Sequence, residues 1–235
     1  MKFALSYLLP KLYRARAYMI LEAECSSVAA SRAMDDEQFV VLNASNVHAH
    51  RDVCEALLEL GGDVADYLED LRRGRVVAFV ILRAGVVEHY SYVFVKNKTA
   101  CILGLANGTA LIGNDFTVPS YRGRGCQSRS VGARAEIARN HGFLRVVAET
   151  SPDNMASQRG LQKGGMRLAG RMDLVVILNT VVIRWRRPAG YPLRNRSLSG
   201  VLCPPAPTRN NPSHIHQGGA GSDQGDSDQQ QVAAA

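Results

Sequence analysis

One short stretch of the sequence has the residue types of a phosphate-binding turn. Its centre is Arg122-Gly123-Arg124-Gly125, which joins an apolar run to a helix-compatible run. Glycines let a backbone approach a ligand closely, and the first turn of a following helix presents unpaired NH groups at the positive end of its dipole. Arg122 and Arg124 add charged donors at the rim. The spacing therefore indicates a turn that can bind a phosphate group.

The Arg-Gly repeat also has a purely structural interpretation. Such repeats occur in tight turns and in disordered segments that bind RNA, so the repeat alone leaves both interpretations open. Two other phosphate loops are excluded. The glycine spacing of a dinucleotide-binding fingerprint is missing, and no Gly-Lys-Ser or Gly-Lys-Thr follows, as a P-loop requires.

The flanking residues predict a strand before this turn and a helix after it. Residues 109–118 form an apolar run that ends at Pro119, because proline removes a donor from the strand ladder. Small and apolar residues then recur at near-helical spacing as far as His141-Gly142, which ends the helix. Three arginines of this helix are predicted to face solvent: Arg129, Arg134 and Arg139.

Further strands and helices are predicted on both sides of this unit. Residues 49–72 carry an apolar stripe at steps of three and four, broken by Gly61-Gly62, which predicts two core-facing helices. Residues 75–82 and 86–95 are rich in β-forming residues and predict a hairpin. Residues 38–42 fit either a strand or the start of a helix. The other predictions are strands at 18–22, 100–105, 144–149, 174–178 and 181–185, and a short helix at 154–163.

Composition predicts one domain followed by a tail. The chain has 235 residues and 46% hydrophobic content, which is enough for a sizeable core. From Pro188 onward, Pro-, Gly- and Gln-rich runs predict a low-complexity, disordered tail over residues 188–235, which leaves a domain at 1–187. The net charge of +7 lies entirely before Pro188. A basic face attracts a polyanionic ligand, whether a nucleotide-bearing thioester or a nucleic acid.

Cysteine usage and hydropathy predict a cytoplasmic protein. The five cysteines are odd in number and lack paired short spacings, which fits a reducing compartment. Cysteine and histidine never cluster, so no metal site is predicted. No run of about 18 apolar residues occurs, so no membrane-spanning helix is expected. The first residues lack a small-residue cleavage site, and a signal peptide is therefore not expected.

Two motifs carry a resemblance to a known family. Val118-Pro119, Arg122 and Gly125 resemble motif A of the GNAT superfamily of N-acetyltransferases, whose pattern is Gln/Arg-x-x-Gly-x-Gly/Ala after a Val-x-Pro-like strand end. Gln127 departs from this pattern, because the family prefers a small residue there. Residues 153–166 resemble the family's later Asn-x-x-Ala/Ser helix, which ends in Lys-x-Gly-Phe. The two motifs stand in the right order, which is more specific than either alone.

This resemblance implies the fold class. It implies an α/β (α+β) fold with a mixed, mostly antiparallel central sheet flanked by helices, with the motif core at about residues 75–187. Two strands are expected to splay apart at a cofactor cleft. They are the strand that ends at Val118 and the strand from Leu144 to Glu149.

The resemblance also implies acetyl-CoA as the co-substrate. Its pyrophosphate would bind the backbone NH groups from Arg122 to Gln127, and its pantetheine arm would run between the splayed strands. Asn154 matches the position that contacts the arm, and Ser157 matches the small residue that lets the cofactor pass. From the residues alone, Asn154 also fits a helix N-cap and Ser157 a surface position. The cofactor-binding residues implied are Thr117, Val118, Arg122, Gly123, Arg124, Gly125, Cys126, Gln127, Asn154 and Ser157.

The family's reaction is direct attack of an amine on the thioester, which needs a proton acceptor. Asp115, in the strand before the turn, and Glu149, near the end of the next strand, are the candidates. Each also fits a structural or solvent-facing role. Leu161 stands where the family often has a tyrosine that acts as the acid.

Three functions remain open from the sequence. The resemblance favours an acetyl-CoA-dependent N-acetyltransferase whose acceptor amine belongs to a small molecule or a protein. Leu161 and Gln127 motivate the alternative of a GNAT-like module that binds acyl-CoA without turnover. A basic nucleic-acid-binding protein, with Arg122, Arg124 and Arg129 as phosphate contacts, is the least favoured. No membrane partner is expected, and a homodimer is left open.

Overall fold

A single mixed sheet organises the protein. The computed structural model describes residues 13–96, 105, 108–177, 181–187 and 194–200. The strands within these ranges are β1 Tyr13–Glu24, β2 Glu37–Leu42, β3 Val76–Arg83, β4 Val86–Phe94, β5 Thr109–Thr117, β6 Arg145–Thr150, β7 Arg167–Ile177, β8 Val181–Arg187 and β9 Arg194–Gly200. The α-helices in the same ranges are α1 Arg51–Glu59, α2 Val64–Arg72, α3 Cys126–Asn140 and α4 Met155–Lys163.

The order of the described strands across the sheet is β2-β3-β4-β5-β6-β1-β7-β8-β9. β5 and β6 run parallel, and the other described neighbours run antiparallel. The N-terminal strand β1 therefore lies inside the sheet, between β6 and β7. This arrangement confirms the expected mixed, mostly antiparallel sheet with flanking helices.

Helices cover both faces of the sheet. The face covered by α3 and α4, here called the α3 face, includes the buried residues Leu21, Ile112, Val131, Ala148 and Leu161. The face covered by α1 and α2, here called the α1 face, includes the buried residues Leu57, Leu68, Leu71, Tyr92 and Leu111. Because strand side chains alternate in direction, neighbouring residues of β5 reach opposite faces. The core therefore consists of two apolar layers separated by the sheet.

β5 and β6 pair along only part of their lengths. Their ladder joins residues 109–112 to residues 145–148. Beyond Ile112, the described ladder of β5 continues with β4, while that of β6 continues with β1. The two strands thus part in the middle of the sheet, and the predicted splaying is confirmed.

A bulge lies in β5 where the strands part. The register with β4 shifts between Tyr90 and Tyr92, and Asn114 on β5 has a φ of 52°. Asparagine tolerates this left-handed conformation better than most residues, and the extra residue bends the strand. The strand prediction for residues 109–118 did not include the bulge. Gly113-Asn114 within the strand pattern is the signal that indicates it.

Most other predicted elements are present. The helix pair within residues 49–72, the hairpin, α3, β6 and α4 are confirmed, and residues 38–42 belong to strand β2. β1 and β7 are longer than predicted, because pairing with each other extends both. Apart from Leu105, the strand predicted at 100–105 lies outside the described residues.

The sheet continues beyond Pro188. β9 pairs with β8 and lies within the stretch predicted as a disordered tail. Pairing with a neighbouring strand, which local composition does not reveal, accounts for this difference. Residues 201–235 lie outside the described ranges, and the prediction for them stays a prediction. No helix in the described part of the chain has the length and apolar character needed to span a membrane.

Candidate functional site

The predicted phosphate turn, residues 122–125, begins α3 at the edge of the gap between β5 and β6. Gly125 is the N-cap of α3 and has φ 78° and ψ 15°, and Gly123 has φ 81°. This left-handed backbone is costly for residues with a Cβ, so both glycines have a conformational reason to be there. The four residues of the turn are exposed.

The turn and the start of α3 carry a set of unpaired backbone donors. The NH groups of residues 123–128 have no hydrogen-bond acceptor within the described part of the chain, and no side chain caps the helix. The next NH, that of Arg129, donates to Gly125 O and begins the helical pattern. Free NH groups at a helix N-terminus favour an anion through direct hydrogen bonds and through the helix dipole. The expected backbone site for a phosphate group is therefore formed by the main chain itself.

Arginine side chains hold the turn in place. Arg129 Nη1 donates to Arg124 O at 2.7 Å, and Arg129 Nη2 reaches Glu37 Oε1 on β2 at 2.5 Å. Arg122 Nε donates to Thr117 O at 3.2 Å. The Arg124 guanidinium lies 5.2 Å from the centre of the Tyr121 ring. Arg122 and Arg124 remain exposed at the rim, while Arg129 is largely enclosed by its pairing with Glu37, so the prediction that Arg129 faces solvent is wrong.

Cys126 lies at the first position of α3 and is buried. Burial raises the pKa of its thiol, with Arg129 acting in the opposite direction. The thiol is therefore in its protonated form near neutral pH, which disfavours a nucleophilic role.

The prediction that Arg134 faces solvent is wrong. Arg134 is fully buried and forms an ion pair with Asp115 on β5 at 2.6 Å, while its Nη2 donates to Ser130 Oγ at 3.0 Å. Burial lowers the pKa of the guanidinium, and Asp115 opposes that shift. Arg134 stands three residues after Val131 and therefore on the apolar stripe of α3, which is the sequence signal for its burial.

Asp115 is consequently held by two partners. Besides the ion pair with Arg134, its Oδ2 accepts a hydrogen bond from Gln127 Nε2 at 3.1 Å. The same Gln127 amide donates to Ser157 Oγ on α4 at 3.0 Å. These contacts bring together three of the residues that the resemblance implied for the site.

His89 on β4 lies close to this group and is fully buried. Its Nδ1 is 2.8 Å from Thr117 Oγ1. Burial lowers the pKa of His89 to about 4, with Asp115 acting in the opposite direction. The ring is therefore neutral at physiological pH, and it orients the Thr117 hydroxyl at the end of β5.

Asn154 is the N-cap of α4. Its Oδ1 accepts a hydrogen bond from the backbone NH of Ser157 at 3.1 Å. The N-cap interpretation of Asn154 therefore describes its contact in this structure, and Ser157 is fixed through both its backbone and its hydroxyl.

Glu149 lies on the other side of the gap, near the end of β6. It is half-buried on the α1 face, opposite Ile20 of β1, and burial raises the pKa of its carboxyl. A carboxylate with a raised pKa is a better proton acceptor near neutral pH.

Aromatic residues line the α1 face near the gap, and the sequence analysis gave them no role at the site. Tyr67 of α2 stacks on Tyr92 with ring centres 4.4 Å apart, and Tyr90 stacks on Phe116 at 5.4 Å. The Tyr67 hydroxyl accepts a hydrogen bond from the side chain of Asn114, the residue at the bulge. Burial raises the pKa of Tyr67, and nearby acids that include Glu149 raise it further. In the sequence, the alternation of aromatic residues along β4 indicates that they share one face of the sheet.

A cavity of about 220 Å³ lies along β5, β6, β1 and β7. Its lining includes Ile20, Glu22, Leu105, Val147 and Met172. Ile20 is the cross-strand partner of Glu149, and Val147 precedes Glu149 by two residues on the same face. The cavity is therefore next to the Glu149 position.

Neither a tyrosine acid at position 161 nor a metal centre is present among the described residues. Leu161, where a tyrosine acid was considered, is 1% exposed and belongs to the core of the α3 face. The described His, Cys, Asp and Glu residues form no group of three that could hold a metal ion.

Sequence comparisons do not show the family of this chain. No model of a known protein family matches the chain. Eukaryotic peptide chain release factor subunit 1 of Tetrahymena thermophila is 30% identical over 93 residues, which are 39% of this chain. The match covers 21% of that protein, so the chain spans about a fifth of the length of this curated relative. A match of this extent assigns no family.

Structural comparisons identify the fold. A GCN5-related N-acetyltransferase from Sphaerobacter thermophilus has a TM-score of 0.50 and 14% sequence identity, over 82% of this chain and 59% of that one. The aminoglycoside N-acetyltransferase AAC(6')-Iy, whose structure is a complex with CoA, has a TM-score of 0.41 and 21% identity, over 55% of this chain and 91% of that one. At 14% identity, the likeness to the Sphaerobacter thermophilus protein is one of fold.

Proposed function

We propose that this chain, which has the fold of the GNAT superfamily of N-acetyltransferases, is an acetyl-CoA-dependent enzyme that transfers an acetyl group to an amine. One observation carries the proposal. The NH groups of residues 123–128 have no acceptor among the described residues, and they lie at the N-terminus of α3 beside two parted strands. Such a set of donors is suited to a diphosphate.

The residues at the turn fit the phosphate end of CoA. Gly123 and Gly125 allow a left-handed backbone and leave the turn without side chains at these two positions. Arg122 and Arg124 are exposed at its rim and supply positive charge. Arg129 fixes the carbonyl of Arg124 and so keeps the turn in one conformation.

The gap between β5 and β6 fits the extended arm of the same molecule. Past Ile112 and Ala148 the two strands no longer pair with each other, so the facing edges can bond a ligand that carries amide groups. Thr117 and Val118 lie at the β5 side of this gap, and Asn154 and Ser157 at the α4 side. Acetyl-CoA supplies an acetyl group activated as a thioester.

We assign proton removal from the acceptor amine to Glu149. Its raised pKa makes the carboxylate a stronger base, and it lies next to a cavity on the α1 face. Asp115 is the other candidate, but its oxygens already bind Arg134 and Gln127. These contacts favour Glu149 as the base and Asp115 as a residue that positions the cleft.

The acceptor amine belongs to a small molecule or a protein in this proposal. Fold alone does not select between them, because acceptor choice depends on the local pocket. The cavity beside Glu149 is the candidate location for the acceptor, and the Tyr67 hydroxyl lies close enough to Glu149 to interact with it electrostatically. The cytoplasmic location and the possible homodimer stay predictions.

A second candidate function is acyl-CoA binding without turnover. The observation that favours it is the burial of Leu161 in the core, because a leucine at this position cannot donate a proton to the leaving thiolate. In this case the turn and the gap would still bind acyl-CoA, and the α1 face would serve another purpose.

Titration calorimetry with acetyl-CoA, followed by a thiol-release assay over a panel of amines and peptides, tests these functions. Saturable binding with thiol release that depends on an amine is the expected result. Binding without release from any amine would favour the second candidate. Absence of binding by the folded protein would contradict both.

A further inference from the structure

The Gln127 side chain crosses the gap that separates β5 from the β6–α4 side. Its Nε2 lies 3.1 Å from Asp115 Oδ2, on the part of β5 that has left β6, and 3.0 Å from Ser157 Oγ, in the first turn of α4. Because α4 follows β6 in the chain, one amide links the two sides of the cleft. We call this contact the Gln127 bridge.

Both ends of the bridge are fixed. Arg134, which is fully buried, holds the other carboxylate oxygen of Asp115 at 2.6 Å. The Asn154 cap holds the backbone NH of Ser157 at 3.1 Å. The bridge therefore links two anchored groups rather than two mobile side chains.

The bridge is also tightly packed against α4. A Cβ added at Gly160 would lie 2.9 Å from Gln127 Cδ, which is closer than real Cβ contacts. The glycine at this position leaves the room that the glutamine occupies. A smaller residue at 127 would leave that room empty, beside the place where the strands part.

We propose that Gln127 is a latch that sets the affinity of the cleft for the arm of its ligand. This inference rests on the proposed function, because it concerns an acyl-CoA in the same cleft. In the ligand-free protein the bridge closes the passage between Asp115 and Ser157. A ligand arm enters only when the two hydrogen bonds of Gln127 break, whereas a ligand confined to the phosphate turn leaves them intact.

The test compares two ligands on matched proteins. CoA is the ligand with an arm, and 3′-phospho-ADP is its diphosphate-bearing half without the arm. Calorimetry with the wild type and Gln127→Ala measures both affinities. We expect Gln127→Ala to bind CoA about tenfold more tightly, since each displaced hydrogen bond contributes a factor of a few. Its affinity for 3′-phospho-ADP stays within about twofold of the wild type, because the turn is unchanged.

Two further variants complete the experiment. Gln158→Ala is the matched control, because Gln158 is on the same side of the cleft, and its hydrogen bonds among the described residues go to the carbonyls of Ser151 and Pro152. It leaves the affinity for CoA unchanged. Ser157→Ala removes one of the two bonds of the bridge and gives a smaller gain for CoA. If circular dichroism shows that Gln127→Ala is not folded, Ser157→Ala takes its place in the comparison with the wild type.

The outcomes separate the latch from the proposed function. If the wild type binds CoA and the bridge variants bind it equally or more weakly, the latch is overturned and the proposed function stands. If Gln127→Ala raises the affinity for 3′-phospho-ADP as much as the affinity for CoA, Gln127 acts on the turn and the latch is again overturned. If no folded protein binds CoA, the proposed function fails and the latch fails with it.

Discussion

The two ends of the candidate cleft are formed by different groups, backbone NH donors at one end and side chains at the other. At the phosphate turn, the donors are backbone NH groups of residues 123–128, and their placement depends on the local conformation of Gly123 and Gly125. At the other end, the side chains of Gln127 and Asp115 are placed by contacts between β5, α3 and α4. The first end depends on a few consecutive residues, and the second depends on the packing of the whole α3 face.

This difference predicts which property each substitution changes. A change in the turn affects ligand affinity more than stability, because the turn is exposed and makes few contacts with the core. A change in the buried ion pair of Asp115 and Arg134 affects stability more than affinity, because burial of an unpaired charge is costly. The predictions below test this division.

The largest effect is expected for Gly125→Glu. The substitution places a carboxylate at the start of α3, where an anion must bind, and forces a residue with a Cβ to a φ of 78°. We expect CoA binding to fall below detection, a loss of more than about a thousandfold, since charge repulsion adds to the loss of backbone donors. Calorimetry measures the affinity.

Gly142→Glu is the matched control. Gly142 has a φ of 85° just after the other end of α3, and a Cβ there would meet no atom of the described residues within 4 Å. It carries the same conformational cost, roughly 1–2 kcal/mol, without touching the turn. Equal loss of affinity in both variants would mean that strain, and not the turn, causes the effect.

Arg134→Met is expected to reduce the free energy of unfolding by about 3 kcal/mol, because it leaves the largely buried Asp115 carboxylate without its ion-pair partner. Urea denaturation measures the loss. The double variant Asp115→Asn with Arg134→Met removes the unpaired charge and is expected to recover more than half of that loss. A loss under about 1 kcal/mol for the single variant would show that water replaces the ion pair.

The sequence is sufficient to predict the phosphate turn but not the Gln127 bridge. Glycine spacing and the strand-turn-helix order predict the phosphate turn, since a left-handed residue and a helix start are local properties. The burial of Arg134 was missed, although its position on the apolar stripe of α3 signals it. The Gln127 bridge has no local signal, because its partners lie on two other elements.

The same distinction holds for the fold. Periodicity and turn residues predict the helix pair, the hairpin and the unit from β5 to α4. β9 and the full lengths of β1 and β7 were missed, since each exists through pairing with a strand that its own composition does not specify. The position of β1 inside the sheet is likewise a non-local property.

Glu149→Gln is expected to lower kcat about a hundredfold with unchanged affinity for acetyl-CoA, because it removes a proton acceptor and leaves the turn intact. Burial raises the pKa of Glu149, so the wild-type rate is expected to rise with pH through a value above the usual carboxyl range. The variant loses this rise. A pH–rate profile of both proteins measures it, and Glu24→Gln, at an exposed position, is the control.

The same pKa shift predicts a pH-dependent change in stability. A carboxyl with a raised pKa in the folded protein stabilises the fold fully below its unfolded-state pKa of about 4.3, and this contribution is lost as pH rises through the folded-state value. Glu149→Gln stays neutral. We therefore expect it to unfold a few degrees above the wild type at about pH 8 and at the same temperature at about pH 4. An equal difference at both pH values would contradict the shift.

The smallest effect is expected for Asn154, which has two candidate roles: it caps α4, and it matches a position that contacts the ligand arm. Asn154→Ala removes the cap of α4 and costs about 1 kcal/mol of stability, while Asn154→Ser keeps a cap. If the amide also contacts the ligand arm, both variants bind CoA about fivefold more weakly. Thermal unfolding and calorimetry on the two variants separate the roles, and unchanged affinity in both would leave Asn154 with the cap alone.

The interior position of β1 has a consequence for biosynthesis. Residues 13–24 leave the ribosome before their partners on β6 and β7, which lie at residues 145–150 and 167–177. At roughly 5–20 residues per second, this strand waits about six to thirty seconds for its partner strands to be synthesised. Its long-range ladders also form slowly, because chain closure precedes any gain from contacts. In the nascent chain, β1 therefore cannot complete its place in the sheet until β6 and β7 have emerged.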